Sequence, residues 1–160
     1  MVSVNIRPMT EDDKPGLMNI LRHTPEFMPS EVPVAEEVID AYLRAPGMSG
    51  YYIKVAENES GLAGYICYGP TPLTEGTWDI YWEAVARKNR GQGIGSALME
   101  SAEIDIRQSR GRLSVIETSS KPEYEKTRRF FIRHGYEVIA RIPDFYAPGD
   151  DRIIFLKRLG

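Results

Sequence analysis

The sequence predicts a mixed α+β fold, in which a central and mostly antiparallel sheet is flanked by helices. Three observations support this class. Some short segments alternate or concentrate apolar, aromatic and β-branched residues, as strands do. Others carry apolar residues at helical spacing. Three strand-like segments also follow one another across turns, as in an antiparallel meander. Together these give the order β-α-α-β-β-β-α-β-α-β-β within one domain, residues 1–160.

The first third of the chain predicts one strand and two helices. Apolar and polar residues alternate over Val2–Arg7, which is typical of a half-buried strand. Thr10 is a candidate N-cap for a helix ending near Leu21, because acidic residues follow it at the positive end of the helix dipole. Prolines then precede a second helix, predicted over Val34–Leu43.

The middle of the chain predicts the antiparallel meander. Its strands are Tyr51–Ala56, Ala63–Tyr68 and Thr77–Val85, all rich in aromatic or β-branched residues. Asn58–Gly61 forms the first turn. The third strand leads into Arg87–Gly95, a basic and glycine-rich loop.

The last third predicts two helices and three strands. An apolar stripe with four-residue spacing marks the first helix, and a glycine stops the second. These elements are a helix over Ser96–Gln108, a strand over Leu113–Thr118, a helix over Tyr124–His134, and closing strands over Glu137–Ile142 and Arg152–Leu159.

Composition excludes several classes of protein. The net charge of −3 argues against a nucleic-acid binder, since phosphate binding normally needs a basic excess. No apolar run approaches the roughly 18 residues of a transmembrane helix, so no membrane partner is expected. The single cysteine, Cys67, cannot form an internal disulfide and is expected in the core. We therefore expect a cytoplasmic protein, and the isolated His23 gives no reason to expect a metal.

The loop Arg90–Gly95 is the main candidate for a binding site. Its glycines allow sharp turns and close approach of a ligand to the amides, and the next helix adds unpaired N–H groups. Such a loop suits a phosphate or pyrophosphate, although a tight turn alone would also need glycines. Neither the dinucleotide-binding pattern nor the P-loop pattern fits the residues that follow Gly93.

Three segments resemble the GNAT superfamily of acyl-CoA-dependent N-acyltransferases. The family signature Gln/Arg-x-x-Gly-x-Gly/Ala is matched by Arg90, Gly93 and Gly95. Ile80–Val85 is similar to the family's fourth strand. Thr127–Tyr136 is similar to its last helix and the glycine-aromatic step into the sixth strand. The order of elements also agrees, so the resemblance covers nearly the whole chain.

The resemblance implies acetyl-CoA as cosubstrate and a sheet that splays between its fourth and fifth strands. The loop amides would bind the pyrophosphate, and the open backbone of the fourth strand would polarise the thioester carbonyl, as an oxyanion hole does. Phe131 would pack against the thioester end. The implied cofactor-binding residues are Ala84, Val85, Arg90, Gly91, Gln92, Gly93, Ile94, Gly95, Ser96, Tyr124 and Phe131.

The implied reaction is direct attack of a primary amine on the thioester, which requires a base to make the amine neutral. Three carboxylates are candidates: Glu117, Asp79 and Glu83. Glu117 ranks first because it lies at the end of the fifth strand, beside the splay. Strand alternation predicts that Asp79 and Glu83 share one face.

The group that protonates the leaving thiolate departs from the family pattern. Many relatives use a tyrosine on the last helix, at the position of Phe131 here. Tyr124, two turns earlier, could supply a hydroxyl instead, and Tyr146 is a further candidate. If no group replaces the tyrosine, the alternative function is a coenzyme A-binding sensor or regulatory module with little or no turnover.

The acceptor is a primary amine of a small molecule or of a peptide or protein. Acids of the segment 144–151 could attract a cationic amine in the acceptor groove. The sequence leaves the oligomeric state open, and a homodimer is one option because dimers are common in the family.

Overall fold

A computed structural model describes residues 3–160; Val2, in the predicted first strand, lies outside them. The helices are α1 (Lys14–Arg22), α2 (Val32–Arg44), α3 (Ile94–Gln108) and α4 (Glu125–Arg133). The strands are β1 (Asn5–Pro8), β2 (Tyr52–Asn58), β3 (Gly61–Pro70), β4 (Thr77–Val85), β5 (Leu113–Ser119), β6 (Glu137–Ala147) and β7 (Asp150–Arg158).

The strands form one sheet in the order β1-β2-β3-β4-β5-β7-β6. Every neighbouring pair is antiparallel except β4 and β5, which run parallel. The helix α3 makes the long connection that a parallel pair requires. The predicted α+β class, with a mostly antiparallel sheet flanked by helices, is therefore confirmed.

Several element ends differ from the prediction for identifiable reasons. A short 3₁₀ turn follows Thr10, so α1 begins at Lys14. The helix α2 begins at Val32, because Pro33 occupies its first turn, where a missing N–H costs no helical hydrogen bond. The strand β6 extends to Ala147 because it rejoins β7 after an irregular segment that contains Pro143.

The core lies on both faces of the sheet. On one face, which we call the α1–α2 side, residues such as Leu17, Ile39 and Tyr65 are buried together. The opposite face, called the α3 side, buries Leu98 and Phe155. The predicted apolar stripe of α3 and the buried Cys67 are confirmed as parts of the core. No helix within residues 3–160 is long and apolar enough to cross a membrane.

Candidate active site

The parallel strands β4 and β5 separate partway along their length. Thr77–Ile80 pairs with Leu113–Ile116, and no later pair joins the two strands within residues 3–160. Because β4 continues to Val85 and β5 to Ser119, the backbone of residues 81–85 is open on the side that faces β5. The splay that the resemblance implied is therefore confirmed.

A β-bulge lies where the two strands part. Cys67 of β3 pairs with Trp82, and the next residue, Tyr68, pairs with Ile80. Tyr81 is therefore an extra residue in β4, opposite no residue of β3. An extra residue shifts the alternation of side chains by one position, so the two halves of β4 are out of phase.

The predicted common face of Asp79 and Glu83 is wrong, because the bulge lies between them. Ile80 packs on the α3 side, so Asp79 points to the α1–α2 side, where Thr71 donates a hydrogen bond of 2.6 Å to its carboxylate. Glu83 is paired in register with Ile66, which is buried on the α3 side. The two carboxyl groups therefore lie on opposite faces of the sheet.

The glycine-rich loop joins the open end of β4 to α3. Gly91 and Gly93 both have left-handed backbone conformations, with φ of 79° and 80°. This region favours glycine because other residues bring a Cβ against the backbone. A Cβ built at either position has no heavy atom within 4 Å. Space beside the loop is thus open to a ligand.

The amides of this loop are free to bind an anion. Residues 91–96 donate no backbone N–H to any group within residues 3–160, and the last three begin the 15-residue helix α3. Unpaired amides and the positive end of the helix dipole together favour a phosphate group. The geometry supports the predicted anion site.

The side chain of Arg90 is held by a contact that its sequence pattern did not predict. Its two terminal nitrogens donate to the two carboxylate oxygens of Glu26, at 3.0 and 2.9 Å. The carbonyl of Glu26 accepts a hydrogen bond of 2.5 Å from the hydroxyl of Tyr124. We call this arrangement the Glu26 clasp. It joins the α1–α2 connection to both sides of the splay, across 64 and 98 residues of sequence.

The other predicted cofactor residues contribute in different ways. Ile94 and Ala84 are buried in the core, so only their backbones can reach a ligand. The side-chain oxygen of Gln92 is shielded from solvent and has no hydrogen-bond partner within the described part of the chain. The hydroxyl of Ser96 lies 2.9 Å from Nε2 of His134, which ties α3 to the end of α4.

Glu117 lies just beyond the last pair of β4 and β5, at the mouth of the splay. It faces the α1–α2 side, as does Asp79, whose partner in register is Val115. The carboxylate of Glu117 is exposed and forms an ion pair with Arg152. The guanidinium of Arg152 also lies 4.8 Å from the ring centre of Phe145.

Glu83 has a very different environment. Its Oε1 atom is buried and has no hydrogen-bond partner within residues 3–160. This oxygen lies 3.3 Å from the position that a Cβ at Gly95 would occupy, and the Phe130 ring lies 3.5 Å from the same point. Burial raises the pKa of the Glu83 carboxyl well above its usual value. A neutral carboxyl is therefore favoured beneath the first turn of α3.

The residues considered for protonating the leaving thiolate lie in three different environments. Tyr124 lies in a 3₁₀ turn before α4, with its hydroxyl bound to Glu26; burial and nearby acids raise its pKa to about 12. Phe131 is buried, 5.3 Å from Phe155 between ring centres. Tyr146 is about half exposed near the β6–β7 turn.

A buried polar network beside this site was also missed. Glu103 is 4% exposed, accepts a hydrogen bond from Lys157 at 2.8 Å and another from the Tyr136 hydroxyl at 3.0 Å. A signal was present in the sequence: Glu103 lies four residues after Met99 and three before Ile106, which places it on the apolar face of α3. No group of residues suited to a metal ion occurs within residues 3–160.

Comparison with known proteins agrees with this architecture. The family model for the acetyltransferase (GNAT) domain matches residues 49–138. An uncharacterized N-acetyltransferase of Methanocaldococcus jannaschii is 30% identical over 104 residues, which are 65% of this chain and 64% of that protein. The matched segment thus spans less than two thirds of that relative.

Solved structures show the same fold over the full chain. A protein from Desulfovibrio desulfuricans, assigned to the GNAT family of acetyltransferases, is 38% identical, with a TM-score of 0.95 over 99% of this chain and 100% of that one. An aminoglycoside 6'-N-acetyltransferase complexed with coenzyme A is 19% identical, with a TM-score of 0.77 over 98% of this chain and 97% of that one. The chain belongs to the acetyltransferase (GNAT) domain family.

Proposed function

We propose that this chain is an acetyl-CoA-dependent N-acetyltransferase that transfers an acetyl group to a primary amine by direct attack. One observation carries the proposal. The free amides from Gly91 to Ser96 stand at the start of α3, immediately beside the open edge of β4. A single cosubstrate with a phosphate end and an acyl arm can use both features at once.

The residues present fit acetyl-CoA. The loop amides would hold its pyrophosphate, and the left-handed glycines leave open space where that group approaches. The acyl arm would lie along the open edge of β4, where the backbone of residues 81–85 is unpaired on the side that faces β5. A donor fixed at this edge stabilises the negative charge that develops on a thioester oxygen during attack.

Glu117 is the carboxylate that we propose as the base. It is exposed at the mouth of the splay and on the α1–α2 side, so an amine can reach it from solvent. Its ion pair with Arg152 keeps the carboxylate oriented. Asp79 lies deeper on the same side and is hydrogen-bonded to Thr71, which makes it the second candidate.

Two measurements test the proposed function. Calorimetry and thermal unfolding with coenzyme A should show saturable binding and stabilisation; no heat and no shift at high ligand concentration would contradict the proposal. Thiol release from acetyl-CoA should then be measured with a panel of amines. Binding without turnover on any amine would instead favour the sensor or regulatory module.

The base is tested by Glu117→Gln. We expect kcat to fall by about 10²–10⁴-fold, as general base catalysis typically contributes, while the Kd for coenzyme A stays within a small factor. Glu100→Gln, an exposed change on α3, is the matched control and should have no effect. An unchanged pH–rate profile in Glu117→Gln would eliminate Glu117.

The hairpin acids bear on the choice of acceptor. Asp144 accepts a hydrogen bond from the amide of Gly149, Asp151 pairs with Arg141, and Asp150 is buried against Ser119. These carboxylates are thus used within the protein and offer less free charge than the sequence suggests. The panel should include peptides beside polyamines and aminoglycosides.

A further inference from the structure

The proposed reaction needs a proton for the leaving sulfur, and neither Phe131 nor Tyr124 is free to supply it. Phe131 has no hydroxyl, and its ring is buried in the core against Phe155. The hydroxyl of Tyr124 donates a hydrogen bond to the backbone carbonyl of Glu26. Using that proton in catalysis would require the Glu26 clasp to open.

Glu83 is a further acidic group beside the splay. It belongs to the part of β4 beyond Ile80, whose edge is open toward β5. Its carboxyl faces the α3 side and packs beneath Gly95, with Phe130 of α4 touching the same space. The carboxyl therefore lies between the open edge, the first turn of α3 and the helix that carries the family's usual donor, with its Oε1 atom buried.

The unpaired oxygen of Glu83 calls for a functional explanation. A buried polar atom without a partner costs about 1–3 kcal/mol, and such atoms are rare in folded proteins. A glutamate nevertheless occupies this position, where an apolar residue would leave no buried polar atom unpaired. A ligand that enters the splay and exchanges a proton with the carboxyl accounts for it.

The neighbouring charges do not neutralise Glu83. Glu103 of α3 and Lys157 of β7 pair with each other at 2.8 Å. The hydroxyl of Tyr136 donates a hydrogen bond to Glu103, and His134, just after α4, forms a hydrogen bond with a serine hydroxyl of α3. No cation forms an ion pair with Glu83 within the described residues, and burial raises the pKa of its carboxyl well above the usual value, which favours the protonated form.

We propose that Glu83 is the proton donor to the leaving thiolate. This inference rests on the proposed acetyltransferase function. As the amine nitrogen bonds to the acetyl carbon, the carbon–sulfur bond breaks and its electron pair remains on sulfur. Glu83 transfers its carboxyl proton to that sulfur and becomes a carboxylate. The amine proton goes to the base or to water, and Glu83 regains a proton from solvent, so one N–H bond is lost for each S–H bond formed.

Glu83→Gln tests the proposal, because glutamine keeps the shape of the neutral acid without a transferable proton. We expect kcat to fall by about 10²–10⁴-fold with the Kd for coenzyme A unchanged. The wild-type kcat should also decline as pH rises through the pKa of the donor, and this limb should be missing in the variant. Glu83→Met, which is neutral and of similar size, provides a second variant if the first is unstable.

An infrared measurement on the free protein gives a readout that does not depend on activity. The difference spectrum of wild type minus Glu83→Gln at pH 7 should contain the carbonyl band of a protonated carboxyl. Absence of that band would overturn the proposal, and so would a kcat within threefold of an active wild type in both variants. A wild type that binds coenzyme A but acetylates no amine would refute the proposed function itself, which separates the two failures.

Discussion

Replacing Gly93 with alanine tests whether the loop conformation, rather than its mere flexibility, forms the cofactor site. Gly93 has a φ of 80°, and an added Cβ would meet no atom within 4 Å. The substitution therefore adds backbone strain without a collision in the free protein. For an L-residue, the left-handed conformation costs about 1–2 kcal/mol.

The strain can lower the stability of the free protein, its affinity for coenzyme A, or both. If the free protein keeps the loop unchanged, the free energy of unfolding falls by about 1–2 kcal/mol and coenzyme A binds as before. If the free loop relaxes instead, stability is retained, and restoring the loop on binding weakens the Kd by about 5- to 30-fold. The two losses together should equal about 1–2 kcal/mol.

Urea unfolding of the free protein and calorimetric titration with coenzyme A measure the two parts. Gly47→Ala is the matched control, because Gly47 has open space and no left-handed backbone, and it should change neither quantity appreciably. A Gly93→Ala protein with wild-type stability and wild-type affinity would refute the argument. An affinity loss far above 30-fold would mean that the Cβ collides with the ligand itself.

Three other changes have defined outcomes. Asp13→Asn should lower the free energy of unfolding at pH 7 by about 1.5–3 kcal/mol. Asp13 is buried and bound at 2.7 and 2.8 Å by an arginine of β1, which lowers its pKa. This stabilisation is present above the unfolded pKa and is lost as pH falls through the lower folded one, so urea curves of wild type and Asp13→Asn should converge below about pH 4. Exposed Asp12→Asn is the control. Glu26→Gln should lower the free energy of unfolding by at most about 1 kcal/mol, because the ion pair of Glu26 with Arg90 is partly exposed. The Kd for coenzyme A should stay nearly the same; a tenfold change would contradict the view that the Arg90 side chain only holds the fold and does not bind the cosubstrate. Deleting Tyr81 should remove the bulge and abolish the binding of coenzyme A in calorimetry. Tyr81→Ala keeps the extra residue and should still bind coenzyme A.

Much of the fold could be predicted because its signals are local. The strand Thr77–Val85 was predicted with the same bounds that the structure shows, since aromatic and β-branched residues are bounded by a glycine and a basic loop. The stripe of α3 and the glycine that ends α4 are likewise short-range patterns. The glycine loop could be located for the same reason.

Other features depend on contacts that no local pattern encodes. The bulge at Tyr81 occurs in the run Ile80-Tyr81-Trp82, where all three side chains are apolar. No polar residue marks the change of phase, so simple alternation misplaced Glu83. The Glu26 clasp joins residues 64 and 98 positions apart, and only the assembled sheet brings them together.

The bulge also explains how one site can both take up and deliver a proton. Without the extra residue, Asp79 and Glu83 would lie on the same face of the sheet. With it, Glu117 and Asp79 lie on the α1–α2 side, open to solvent or to hydrogen-bond donors, and Glu83 lies beneath α3 with one carboxyl oxygen buried and unpaired among the described residues. Two environments that push carboxyl pKa values apart are the usual basis for assigning one base and one acid. In our proposal the amine therefore loses its proton on one face of the sheet and the sulfur gains one on the other, with the open edge of β4 holding the thioester between them.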